Sequence, residues 1–220
     1  MNTRKVLAEL IGTFLFMTVG YTSVAAFTAA GVPSLLVVPF SFGLGLLAAI
    51  FAFGHISGGH FNPAVTVAMI LDKRTTPIDG VGYIVAQVIG AIGAAALLVV
   101  TVNQAAVTAG ITQPGTGITD MGALILETVF TAGFLAVILA VTKRVPALAP
   151  LAIPLTLVAI HFAIAPLSGS SVNPARSIGS AVVGGDLNAL WIYIVGPTVG
   201  GILGWAIWRA VDGGEDTVAA

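Results

Sequence analysis

The chain has no cysteine. Disulfides, thiol nucleophiles and cysteine-based metal sites are therefore excluded. Charge is nearly as scarce. Lys, Arg, Asp and Glu make up 8% of the residues, against about 25% in a soluble globular domain. The net charge of −1 offers no basic surface to a polyanion, so no nucleic-acid partner is expected. No nucleophile–base pair and no His/Asp cluster stands out, so neither an enzyme nor a metal or cofactor site is expected. What is present instead is hydrophobic sequence: 57% of residues, with a mean hydropathy of +1.06. This is the composition of a polytopic membrane protein, and 220 residues suit one compact domain. A cleaved signal peptide is not expected. The apolar run after Lys5 extends to about Ala30, longer than a signal h-region.

One short pattern occurs twice. Ser57-Gly58 followed by Asn62-Pro63-Ala64 returns, 111 residues later, as Ser168-Gly169 followed by Asn173-Pro174-Ala175. Asn as N-cap followed by Pro at the first helical position is a helix start. Both helices are short, the first ending at Leu71 before Asp72-Lys73-Arg74 and the second near Val183 before Gly184-Gly185-Asp186. About ten residues at roughly 1.5 Å each reach ~15 Å, half of a ~30 Å bilayer core. Half-length helices in matching places of two repeats describe a transmembrane pore or carrier site.

Six other segments are long enough to cross: 5–28, 34–54, 80–102, 120–142, 150–167 and 188–210. The segments 55–71 and 168–183 are too short and are read as re-entrant, with irregular backbone tolerated only against protein or a water-filled cavity. With a cytoplasmic N-terminus, Arg4, Lys5, Lys73, Arg74, Lys143, Arg144 and Arg209 fall on the inner side. The outer connections 29–33, 103–119 and 184–187 carry no Lys or Arg. Arg176 alone breaks the positive-inside pattern and needs its own reason. The repeat extends further: Tyr83-Ile84-Val85 matches Tyr193-Ile194-Val195, and Gly90 matches Gly200. Three spans per copy is an odd number, so the copies, about 5–102 and 120–210, enter from opposite faces. The expected fold is all-α: six transmembrane helices and two re-entrant half-helices in an inverted repeat. An acidic tail occupies 211–220.

Gly-His-Ile-Ser-Gly-Gly-His-Phe-Asn-Pro-Ala-Val-Thr at 54–66 and Ser-Val-Asn-Pro-Ala-Arg-Ser at 171–177 resemble the two signature loops of the aquaporin (major intrinsic protein) family. The resemblance runs along the whole chain, including Ala8-Glu9-Leu10-Ile11-Gly12-Thr13-Phe14. It implies a channel for water, in the bacterial-type water-selective branch, assembled as a homotetramer in a prokaryotic inner membrane with both termini cytoplasmic. It also implies a constriction built from Phe42, His161, Ser170 and Arg176. The glycerol-conducting branch typically has a small residue in place of His161 and Asp in place of Ser177. At 194, where water channels often carry Trp, this chain has Ile, a departure from the water-only pattern.

The physics of such a site follows from the residues. Each half-helix N-terminus carries about +0.5 of an elementary charge, so two facing ends repel cations. That is the electrostatic logic of aquaporin-type pores in general. Asn62 and Asn173 can cap backbone N–H groups through their side-chain oxygens and donate to water through their NH2 groups. The extended stretches Gly58, Gly59, His60 and Phe61, and Gly169, Ser171 and Val172, would offer carbonyl acceptors along one wall. Arg176 sits in the first turn of its helix, where a cation opposes the dipole, and is read as a pore residue. Glu9 and Glu127 are intramembrane acids; the resemblance implies that they hold the re-entrant loops, and a proton-relay pair is the rival reading. The remaining alternatives are a broader pore passing glycerol, ammonia or hydrogen peroxide, and a secondary transporter. Membrane lipid is the expected surround.

Overall fold

A computed structural model describes residues 1–30 and 34–212. The connection at 31–33 and the tail beyond Asp212 lie outside the described residues, so the acidic-tail expectation is carried there only by Val211 and Asp212. The described residues are helical, with no strand among them. In chain order the helices are α1 (Thr3–Ala29), α2 (Ser34–Ala49), α3 (His55–Ser57), α4 (Pro63–Leu71), α5 (Pro77–Thr101) and α6 (Gln104–Thr108). They continue with α7 (Asp120–Arg144), α8 (Ala149–Ser168), α9 (Pro174–Gly184) and α10 (Leu190–Asp212). A π-helical stretch, Ile50–Gly54, continues α2 into α3. Six of these units are long and apolar enough to span a bilayer. They match the six sequence-predicted spans to within a few residues.

α4 and α9 are the two half-helices. Their starts are capped as the Asn-Pro pairs predict. Asn62 Oδ1 accepts from the Ala64 N–H at 2.9 Å, and Asn173 Oδ1 accepts from the Ala175 and Arg176 N–H groups at 3.0 and 3.4 Å. Each half-helix leans on the last long helix of the other half, and glycine makes both approaches possible. A Cβ on Gly201 of α10 would sit 2.8 Å from the Ala64 carbonyl oxygen, and one on Gly179 of α9 would sit 2.7 Å from the Ala91 carbonyl carbon in α5. The matched pair Gly90 and Gly200 serves the long helices in the same way, α5 against α1 and α10 against α7.

A Cβ at Gly200 would run into the Thr128 backbone oxygen and come within 2.8 Å of Thr131 Cβ. Backbone cannot swing aside as a side chain can. Gly200→Val is therefore expected to cost about 1–3 kcal/mol as overpacking. A thermal melt in detergent checks it, and an unchanged Tm would contradict the packing described.

The C-terminal end of α4 is tied down by a cation. Arg74 Nε donates to Asp72 at 2.7 Å and Nη1 to Thr142 Oγ1 at 2.6 Å, while Trp205 Nε1 reaches Asp72 at 3.3 Å. These bonds join α4 to α7 and α10. The connection 103–119, which shows no hydrophobic period, contains α6, with Asn103 Oδ1 capping the Ala106 N–H at 2.9 Å.

Candidate functional site

The two fully buried acids shape both loops. Glu9 accepts from Ser57 Oγ (2.6 Å), the N–H groups of His60 (2.9 Å) and Phe61 (2.6 Å), and Gln87 Nε2 (2.8 Å). Glu127 accepts from Ser168 Oγ (2.8 Å) and the N–H groups of Ser171 (2.9 Å) and Val172 (2.7 Å). In a trans peptide the N–H and the preceding C=O point opposite ways. Turning these N–H groups onto the carboxylates therefore aims the carbonyls of Gly59, His60, Ser170 and Ser171 away from them.

The backbone path is the same in both loops. Gly58 and Gly169 have φ of 99° and 75°, Gly59 and Ser170 have 65° and 47°, and Phe61 and Val172 have 48° and 44°. Left-handed backbone at non-glycine residues is uncommon and costly. Here the carboxylate hydrogen bonds on one side and the Asn contacts on the other hold it. Asn62 Nδ2 donates to the Val172 carbonyl at 2.8 Å, and Asn173 Nδ2 donates to the Phe61 carbonyl at 2.9 Å. The sequence reading left both NH2 groups to the lumen. One N–H of each is instead spent across the midline, because the two loops are close enough to bridge, and one N–H of each remains.

A cavity of about 560 Å3, counting its open mouth, runs past both asparagines. The two loops supply polar lining: Gly58, Gly59, His60, Ser171, Val172 and the two Asn residues. The helices add apolar lining, including Val65, Met69, Phe134, Ile138 and Leu157. Phe61, Gly169 and Ser170 are not part of the lining among the described residues. His60 is fixed by a 3.0 Å contact from Nδ1 to Thr66 Oγ1 and by an edge contact with Tyr83. His55 is exposed, and Ile194 lies exposed on α10 away from the cavity.

Phe42, His161 and Arg176 converge at one part of this cavity. The Phe42 and His161 ring centres are 5.1 Å apart, and the Arg176 guanidinium carbon is 5.5 Å from the centre of the Phe42 ring. Phe42 is backed edge-on by Phe16 at 6.0 Å. Arg176 is 6% exposed, so it does not snorkel to the surface. Its Nη1 donates to the Gly110 carbonyl at 2.8 Å, while Nε has no protein partner. Ser170 is close by without facing the cavity: its Oγ lies 3.0 Å from His161 Nδ1.

Two half-helices meeting inside six membrane spans, with a duct lined by the loops that lead into them, define a transmembrane channel. The chain belongs to the major intrinsic protein family, whose model matches residues 1–208. It is 43% identical to proteins named aquaporin Z from Photorhabdus laumondii (94% of this chain, 96% of the relative) and Rhodopseudomonas palustris (96% and 95%). It is also 41% identical to glycerol uptake facilitator protein-like 6 of Lactiplantibacillus plantarum (97% and 100%). The aquaglyceroporin structure from Plasmodium falciparum superposes with a TM-score of 0.88 at 22% identity, covering 96% of each chain, which establishes the shared fold.

The sequence did not show several contacts around the site, and it did not single out Gln87, Tyr21, Gly110 or Thr112. Gln87 bridges Glu9 and Thr66, Tyr21 donates its hydroxyl to the Arg176 carbonyl, and Tyr83 donates to the Ser57 carbonyl at 2.8 Å. Thr112, Ser177 and Ser171 form a hydroxyl chain with steps of 2.7 and 2.6 Å. Polar residues within apolar spans were the available signal for Gln87 and the tyrosines. Nothing local marks Gly110 or Thr112.

Proposed function

We propose that this chain is a passive channel that conducts water down osmotic gradients while excluding ions and protons. The observation that carries the reading is the grouping of Phe42, His161 and Arg176 around a duct whose midpoint is Asn62 and Asn173. Water moving along the polar lining exchanges one hydrogen bond for the next, while the apolar lining holds nothing back. A cation meets the positive ends of α4 and α9 and then the Arg176 guanidinium. Each copy of the inverted repeat, 5–102 and 120–210, contributes one half-helix and one loop to the duct. The chain works as a homotetramer in a bacterial inner membrane, surrounded by lipid, with both termini in the cytoplasm.

The second reading is a broader pore that also passes glycerol. It is favoured by the 41% identity to a protein named as a glycerol facilitator and by Ser170, whose side chain turns toward His161 and not into the duct. Stopped-flow osmotic shrinkage of proteoliposomes tests the channel itself. Shrinkage well above protein-free vesicles, with a weak temperature dependence, is expected. A rate equal to empty vesicles from correctly folded protein would overturn the open-channel reading.

A further inference from the structure

Ser170 stands in a left-handed position, φ 47°, where the matching residue of the first loop is Gly59. Glycine takes that backbone without strain, and serine does not. The loop's hydrogen bonds impose that backbone, as they do at Phe61 and Val172, and a residue held there in a functional loop directs attention to what its side chain does. Its side chain reaches one group, His161 Nδ1 at 3.0 Å, and Ser170 is 1% exposed.

We infer that Ser170 is a positioning residue: its hydroxyl donates to His161 Nδ1 and so fixes the tautomer in which Nε2–H faces the duct. The reasoning is an accounting of protons. A neutral imidazole carries its proton on one nitrogen, and the partner of one nitrogen decides the role of the other. If Nδ1 carried the proton, Ser170 would accept it. The serine's own buried proton would then have no acceptor among the described residues. A buried donor without a partner is costlier than a hydroxyl oxygen with a spare lone pair. With Ser170 donating, both Ser170 and Nδ1 are satisfied.

The consequence is a constriction whose side chains present donors. His161 offers Nε2–H, Arg176 offers its remaining N–H groups, and the Gly110 carbonyl beside them is already engaged by Arg176. Water can accept from both sides. Hydronium, which donates only, finds no acceptor side chain there. This inference rests on the proposed constriction and assigns a cause for its donor character.

The test is 15N nuclear magnetic resonance on proteoliposomes made with 15N-labelled histidine at pH 8. The chain has three histidines, and His161→Gln assigns the signals of interest. Wild-type His161 should show a bare Nδ1 and a protonated Nε2. Ser170→Gly removes the hydroxyl and suits the left-handed backbone, so it should fold, and it should give a mixture of tautomers. Its glycerol-to-water permeability ratio should rise about two- to tenfold, the equivalent of one lost hydrogen bond. A wild-type Nδ1–H, or a tautomer unchanged in Ser170→Gly, would overturn the inference. Either result can occur in a protein that conducts water normally, so it is distinguishable from failure of the channel reading.

Discussion

Replacing Glu9 by Leu is expected to leave no folded channel to measure. The carboxylate receives four buried donors: the Ser57 hydroxyl, the His60 and Phe61 N–H groups and the Gln87 amide. Leucine fills the space and accepts nothing. Each stranded donor costs about 1–3 kcal/mol, so four cost roughly 4–12 kcal/mol, comparable with a whole domain's stability of about 5–15 kcal/mol. The left-handed backbone at Phe61 would lose the bond that holds it and release the cap of α4. Glu127→Leu strands three donors and should be the milder of the two. Size-exclusion profiles and helical circular dichroism in detergent check both. A well-folded Glu9→Leu protein would contradict the loop-holding role.

Replacing His161 by Gly is expected to raise glycerol permeability about tenfold, which corresponds to a barrier lower by about 1.4 kcal/mol. The imidazole packs edge-on to Phe42 at 5.1 Å and lines the duct together with Arg176. Removing it leaves Phe42 in place, because Phe16 and the close approach of Gly20 hold that ring from behind. Glycine inside α8 costs about 1 kcal/mol of helix stability and should not unfold the protein. Light-scattering reswelling in a glycerol gradient reads the change. Flat glycerol uptake with water flux retained would mean that His161 does not limit solute size.

Much of the fold was legible because a bilayer demands simple things of a sequence. Spans need about 20 apolar residues, and the six runs between 5 and 210 announce themselves. Asn62-Pro63 and Asn173-Pro174 announce helix starts, and Asp72 and Gly185 stand at the ends of those helices. What stayed hidden depends on pairs far apart in the chain. The Asn62–Val172 and Asn173–Phe61 bridges join residues 110 and 112 positions apart, and a backbone carbonyl leaves no mark in a sequence. Left-handed backbone at Phe61 and Val172 was invisible for the same reason: neither is a residue that favours it, and the surrounding hydrogen bonds impose it. α6 is too short for a helical period to show. Ser170 was placed at the constriction by resemblance. It lies beside His161, with its hydroxyl turned toward the ring.

The most direct test of a water-selective pore is to measure water, glycerol and proton fluxes on one batch of proteoliposomes. Phe42, His161 and Arg176 acting together predict rapid osmotic shrinkage, glycerol entry close to that of protein-free vesicles, and no added proton leak by an entrapped pH dye. Glycerol entry on the same scale as the water response, or a proton leak that tracks protein content, would contradict it.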